Sequence, residues 1–431
     1  MQALENHFAL AENGTTIGRE VLAGLTTFLT MAYIVFVNPA ILADAGIDRD
    51  AAFVATCLAA AFGSLLMGLL ANYPVALAPG MGLNAFFSYT VVAQMGHSWE
   101  TALGIVFLSG LIFLALSVLP VREWIVNSIP PALKMAISAG IGMFLAIIAL
   151  RNAGIVVDSP ATLLQLGDLG ASSALLAAAG FFAMVALDRL KVPGAILIAI
   201  LGVTVASIVL GLGAFSGVIA APPSLAPTFL KLDLSSALEL GLISVVFAFL
   251  FVDLFDTAGT LVGVAHRAGL LDAQGRLPRL RRALLADSLA TIAGAAIGTS
   301  TTTSYIESAA GIRAGGRTGL TAVTVAALFL CALIFAPLAG SVPPYATAPA
   351  LLFVACMMTR GLSEINWEDV TDYVPAVVTA LAMPLTFSIS TGIGIGFITY
   401  AAVKILSGRW RDASPAIIFL AGAFVLKFAF F

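Results

Sequence analysis

The sequence predicts an all-α integral membrane protein with fourteen spanning segments in two inverted seven-helix repeats. Three observations carry that prediction. Of 431 residues, 60% are hydrophobic and only 10% charged, a balance far from that of soluble domains. Apolar runs long enough for a hydrocarbon core, roughly 20 residues for about 30 Å, recur from end to end. The basic residues, finally, fall almost entirely into alternate loops.

A polar tail, residues 1–20, precedes the first apolar run, Val21 to Ala43, which is too long for a signal-peptide core, so no cleaved leader is expected. Spans follow near 21–43, 51–71, 80–95, 101–119, 132–150, 172–187 and 193–213, making residues 21–213 the first repeat. A Pro-rich extracytoplasmic loop, 214–238, carries Pro222, Pro223, Pro227 and Lys231. The second repeat, 239–406, holds spans near 239–264, 283–298, 304–312, 318–338, 345–359, 373–388 and 390–406. Residues 407–431 form a basic loop and an apolar stretch that either packs on the bundle or lies in the interface; its aromatic end, Phe428, Phe430 and Phe431, favours the interface.

Alternating sides along this scheme collects Arg19, Arg122, Lys134, Arg189, Lys191, Arg267, Arg276, Arg279, Arg281, Arg282, Arg313, Arg317, Arg360, Lys404, Arg409 and Arg411 on one side. Arg49, Arg151 and Lys231 fall on the other. The lopsided side is cytoplasmic and includes the N-terminus, as expected for a cell-membrane protein whose last span also ends in the cytoplasm. Seven being odd, the second repeat enters with opposite topology. Secondary transporters built this way bind cargo where discontinuous helices meet at mid-membrane. Two breaks stand third in each repeat: Asn72 through Pro79-Gly80-Met81-Gly82, and Gly298 through Ser304. Proline lacks a backbone donor and serial β-branched Thr favours extended backbone, so both read as short extended stretches lining a cavity.

Acids inside apolar segments are costly unless they face a cavity or a partner. Asp253 and Asp256 stand at i, i+3 on one face of the eighth span, with Thr260 a turn further on. Glu307 follows the second break at the positive end of a half-helix, and Asn84 occupies the matching turn after the first. Helix capping is the structural alternative for each. Asp256, Glu307, Asn84, Thr260 and Ile306 form the expected substrate-binding set, with Asp256, Glu307 and Asp253 expected to carry coupling protons. Thr26, Thr27 and Thr30 read better as packing hydroxyls. His7, His97 and His266 fall in the tail and loops, building neither a metal cluster nor an intramembrane relay. Cys57, Cys331 and Cys356 read as buried small hydrophobes. Gly311 through Gly319 lacks a P-loop's ending, which argues against ATP-driven transport, and leaves Arg313 and Arg317 as cytoplasmic anchors.

Two carboxylates and an amide at mid-depth suit a small, flat, neutral ligand with several N–H donors and ring acceptors. No basic residue lies within the spans near them, which disfavours sulfate, phosphate or bicarbonate. A carboxylate in a low-dielectric cavity resists ionisation, so protonation couples to binding without a metal or cofactor. An anion permease of the same architecture is the runner-up. A channel and an intramembrane hydrolase fit less well: one chain with two unlike breaks suits alternating access, and no nucleophile with a matched base accompanies the acids.

Four stretches, Thr26 to Pro39, Ala78 to Phe86, Phe251 to Thr257 and Thr301 to Ser308, together resemble the AzgA-like purine permeases of the nucleobase:cation symporter-2 superfamily. That resemblance implies a core domain (spans 1–4 and 8–11), a gate domain (spans 5–7 and 12–14) and elevator-like movement between them. It implies that Asp256 and Glu307 are the binding acids of spans 8 and 10, that Asn84 contacts the base, and that Asp253 and Thr260 support Asp256. Ser308 and Gly315 stand where the ascorbate and xanthine branch prefers Asn and Thr, which favours hypoxanthine, guanine or adenine over xanthine, urate or uracil. The expected partners are a purine nucleobase, a proton, the lipid bilayer and a second copy in a homodimer, with no nucleic acid.

Overall fold

The computed structural model describes residues 2–118, 129–268, 270 and 277–430. Arg122, Arg276 and Phe431, and the side chains of His266 and Arg267, lie outside the described residues. In chain order the main helices are α1 (Ile17–Met31), α2 (Ile34–Asp44), α3 (Arg49–Leu66), α4 (Met81–Ala85), α5 (Trp99–Val118), α6 (Pro131–Asn152), α7 (Ser172–Arg189) and α8 (Ala195–Val209). The second half supplies α9 (Ile243–Ala268), α10 (Leu280–Ile297), α11 (Ser308–Arg313), α12 (Gly319–Ala332), α13 (Pro344–Thr359), α14 (Val370–Thr386), α15 (Ile389–Leu406) and α16 (Pro415–Phe430). Each expected span overlaps one of these. Among the described residues, eight helices are long and apolar enough to cross a membrane by themselves. The third and tenth segments fall short because strand replaces helix in part of each, as the Pro and Thr content predicts.

Those two strands are the centre of the fold. β1 (Leu77–Pro79) pairs antiparallel with β4 (Thr302–Ser304), in the register Leu77 with Ser304, Ala78 with Thr303 and Pro79 with Thr302. The ladder continues beyond the strands: Gly80 N–H donates to the Thr301 carbonyl and Tyr305 N–H to the Ala76 carbonyl, each at 2.9 Å. Extended backbone inside a helical bundle has no intrasegment partners, and each break satisfies the other's backbone. Half-helices α4 and α11 start immediately after the two strands, and α4 continues as a π-helix, Phe86–Gln94.

Side chains set the helix ends. Asp48 accepts from Ala51 N–H at 2.8 Å to start α3, and Ser388 accepts from Thr391 N–H at 3.2 Å to start α15. Buried Glu20 reaches across the repeats, its carboxylate accepting from Arg317 N–H, Thr318 N–H and the Thr321 hydroxyl, and so caps α12 from α1.

Packing sorts the helices into two groups, each drawing from both halves. In one, α12 lies on α1 and α3, α10 on α3 and α5, α9 on α5 and α11 on α1. In the other, α6 packs on α13 and α14, α14 on α15, and α7 on α8 and α13. The groups meet where α8 touches α1, α13 touches α2, α4 touches α6 and α9 touches α15.

Four features go beyond what the sequence predicts. The loop after α6 forms an exposed hairpin, β2 (Val156–Ser159) with β3 (Leu163–Leu166), where turn signals were weak. Cys331 and Cys356 are exposed while Cys57 is buried. In a membrane protein an outward thiol meets lipid, so it need not be buried. Lys404, counted among the cytoplasmic basic residues, is buried, pairs with Asp372 at 2.7 Å and donates to the Thr371 hydroxyl. The terminal helix α16 packs along α15, where Phe424 fills the space Gly394 leaves open and Lys427 donates to the Ser390 hydroxyl at 3.3 Å.

Candidate functional site

The strand crossing brings four helices to one place. On α9, Asp256 accepts from the Thr303 hydroxyl of β4 at 3.2 Å. Just past β4, Glu307 precedes α11, and its Oε1 accepts from the Tyr33 hydroxyl at 2.6 Å. Tyr33 is fully buried at the turn joining α1 to α2. On α4, Asn84 accepts a hydrogen bond from the Ser300 hydroxyl of the second break. Each contact joins the two halves of the chain or the strand to the helix beside it.

Asp256, Glu307 and Thr260 are partly exposed and Ile306 is 47% exposed, while Thr301 through Tyr305 are buried. The carboxylates and Ile306 therefore form the accessible face of the crossing, and the strand residues its floor. Thr260, a turn beyond Asp256, lies on the same accessible side of α9.

Asp253 is placed differently. Fully buried, it accepts from Thr291 of α10 at 3.3 Å. The same Thr291 hydroxyl lies 3.0 Å from the Thr302 carbonyl and accepts from Thr302 N–H at 3.2 Å. Asp253 thus braces β4 from behind, through Thr291. Asp287, buried on α10, accepts from Thr257 at 2.9 Å, so two Asp–Thr contacts tie α9 to α10 in reciprocal fashion.

Several buried polar atoms around the crossing have no partner among the described residues: Asn84 Nδ2, Ser88 Oγ, Thr301 Oγ1 and Ser304 Oγ. Orphan donors and acceptors are scarce in native interiors, and a cluster of them marks room for a polar ligand or water. Glycine sets the close packing. A Cβ on Gly80 would run into Thr303 and one on Gly82 into Ile141 of α6, so α4 sits against both the second strand and the neighbouring helix group.

Thr26 and Thr30 return their hydroxyls to backbone carbonyls of their own helix, as packing residues do. Tyr33, Ser300, Thr303, Thr291 and Asp287 escaped the reading of the sequence as site residues. Hydroxyls and a lone tyrosine in apolar runs have no periodic signature, and only the Thr/Ser density of the second break hints at them; Asp287, an acid inside the expected ninth span, carries the same cost signal as Asp253 and is legible by it.

The arrangement offers two partly exposed carboxylates as acceptors, a buried amide, and two half-helix starts. It can hold the N–H edge of a flat polar molecule against carboxylates. Among the described residues, no three His, Cys, Asp or Glu side chains group as a metal site would require.

The sequence profile of a family described as a permease family matches residues 18–395. An adenine permease of Escherichia coli (strain K12) is 49% identical over 99% of this chain and 96% of the relative. A guanine/hypoxanthine permease of Bacillus subtilis (strain 168) is 46% identical over 99% of this chain and 100% of the relative. In structure, the transmembrane domain of a cyanobacterium bicarbonate transporter matches with a TM-score of 0.65 at 18% identity, covering 87% of this chain and 97% of that domain. That last likeness concerns the fold alone.

Proposed function

We propose that this chain, which belongs to the permease family matched over residues 18–395, carries purine nucleobases across the cell membrane as a proton-coupled secondary transporter. The observation that carries the reading is the β1–β4 crossing with Asp256 and Glu307 at its accessible face, fixed by Thr303 and Tyr33. Relatives named for adenine and for guanine/hypoxanthine support the cargo class.

In this reading the substrate-binding set is Asp256, Glu307, Asn84, Thr260 and Ile306. The carboxylates take ring or exocyclic N–H groups, and Asn84 takes a ring or carbonyl acceptor. Asp256 and Glu307 carry the coupling proton, and Asp253 supports Asp256 through the braced strand. A neutral carboxyl donates where a carboxylate accepts, so protonation changes the hydrogen-bond pattern the cargo meets.

Fourteen crossings, a cytoplasmic N-terminus and an elevator-like movement complete the proposal. The two helix groups support it: those around α1, α3, α10 and α12 would move as a core carrying the crossing, against a gate built from α6, α7, α8, α13, α14 and α15. Uptake of labelled hypoxanthine, guanine and adenine into proteoliposomes under an inward proton gradient tests the function. Accumulation that collapses when the gradient is dissipated is the expected result. Absence of purine uptake, or sulfate or bicarbonate flux indifferent to purines, would overturn it in favour of an anion permease.

A further inference from the structure

We infer that Ser300 is a positioning residue that fixes which end of the Asn84 amide faces the cargo, so that the site reads a hydrogen-bond acceptor at that point on the base. The inference rests on the proposed function and deepens it, since that reading has Asn84 meet an acceptor without saying what fixes its amide, and gives Ser300 no part.

Both side chains are fully buried. The Ser300 hydroxyl donates to Asn84 Oδ1, because a carbonyl oxygen can only accept. The acceptor end of the amide is spent on Ser300. The donor end, Nδ2, has no acceptor among the described residues. A buried donor left unmade is unfavourable, an imbalance that a cargo acceptor removes on arrival.

The backbone holds this pair in register. Gly80 N–H bonds the Thr301 carbonyl, and Asn84 N–H bonds the Gly80 carbonyl at 2.8 Å, so the residue before Thr301 lies beside the first turn of α4. Thr299, one residue earlier, is held in turn by Asn38, whose Nδ2 donates to its hydroxyl at 2.9 Å. The second break therefore cannot slide past α4, and Ser300 keeps its place opposite the amide.

The two ends of the site then differ in polarity. Asp256 and Glu307 accept, and Asn84 donates. A purine fits with an N–H edge toward the carboxylates and a ring nitrogen or the exocyclic oxygen toward Nδ2. Without the Ser300 hydroxyl neither end of the amide is held, and both orientations become accessible.

Competition by ring-deaza analogues (1-, 3- and 7-deaza) and by the analogue lacking the 6-substituent, against uptake of whichever purine the wild-type protein carries, tests this directly. In wild type one analogue should compete at least about tenfold less well than its parent, because a site built to pair an acceptor rejects the molecule without it. Ser300→Ala should shrink that penalty to under about threefold, and Ser300→Thr, which keeps the hydroxyl, should retain it. A merely structural role would lower uptake without moving the ratio. Should Ser300→Ala fail to accumulate in the membrane, Ser300→Gly, which likewise lacks the donor, is read by the same ratio.

An unchanged penalty in the Ala or Gly variant, or no analogue penalty in wild type, overturns the inference while leaving purine transport intact. No purine uptake by wild type overturns the proposed function itself, and is seen before any variant is made.

Discussion

The Tyr33 phenol, from the first half of the chain, donates to Glu307 Oε1, from the second, at 2.6 Å. The bond ties the turn between α1 and α2 to the start of α11, and in the proposed function it is the other carboxylate oxygen that meets the cargo.

Tyr33→Phe keeps the ring and deletes this one bond. A hydrogen bond to a charged group contributes about 1.5–3 kcal/mol, so KM for the purine should rise roughly tenfold to a hundredfold with membrane abundance unchanged. Initial-rate uptake across a range of purine concentrations separates this from a loss of maximal rate, which the argument does not expect.

Asp256→Asn and Glu307→Gln should each abolish purine uptake while the protein still inserts. The amides preserve size but lose both the carboxylate's charge and its proton chemistry. Immunodetection in membranes beside the transport assay checks this. Normal transport by both variants would remove these acids from the mechanism.

Gly68 and Gly319 meet backbone to backbone: a Cβ on Gly68 would stand 2.6 Å from the Gly319 carbonyl oxygen. Gly319→Ala should therefore destabilise by about 1–3 kcal/mol, since backbone cannot give way as a side chain can. Thermal unfolding in detergent reads the shift. Gly202→Ala, where a Cβ meets nothing within 4 Å, is the matched control.

Lys404 and Asp372 form a pair whose cation is buried. Asp372→Asn strands that ammonium, whereas Lys404→Met removes the charge and keeps the apolar stem. The Asn variant should unfold at the lower temperature, by a difference corresponding to a few kcal/mol. Equal melting temperatures would refute the argument.

Asp233, in the loop before the short helix Leu234–Ala237, accepts from the hydroxyls and N–H groups of Ser235 and Ser236, and these bonds, led by the Ser235 hydroxyl, hold its carboxyl down at about 2. A folded value below the unfolded one means the cap is intact above the ordinary carboxylate range, near 4. Its contribution fades as pH falls from about 4 to about 2. Amide exchange at Ser235 and Ser236 should therefore stay protected at pH 5 and open near pH 2 relative to the intrinsic rate. In Asp233→Asn this pH step should vanish.

Much of this protein was legible without coordinates, for a physical reason. Hydrocarbon thickness imposes segment length, and backbone satisfaction in lipid imposes helix, so the segments and the two breaks at Pro79-Gly80 and Gly298–Ser304 could be read directly. Intramembrane charge is scarce enough that Asp253, Asp256 and Glu307 stood out by cost alone. The sequence therefore determined the class of fold and singled out the acids that stand around the two breaks. It did not determine that β1 would pair with β4, since the two strands lie more than two hundred residues apart and each is only three residues long. Nor could it separate Asp256, at the accessible face, from Asp253, braced against Thr291: residues at i, i+3 share a helix face but can meet different neighbours. The partners that aim the site, Tyr33 for Glu307 and Ser300 for Asn84, are hydroxyls whose role depends on distance and direction alone. Those are quantities that only the packing of one half against the other supplies.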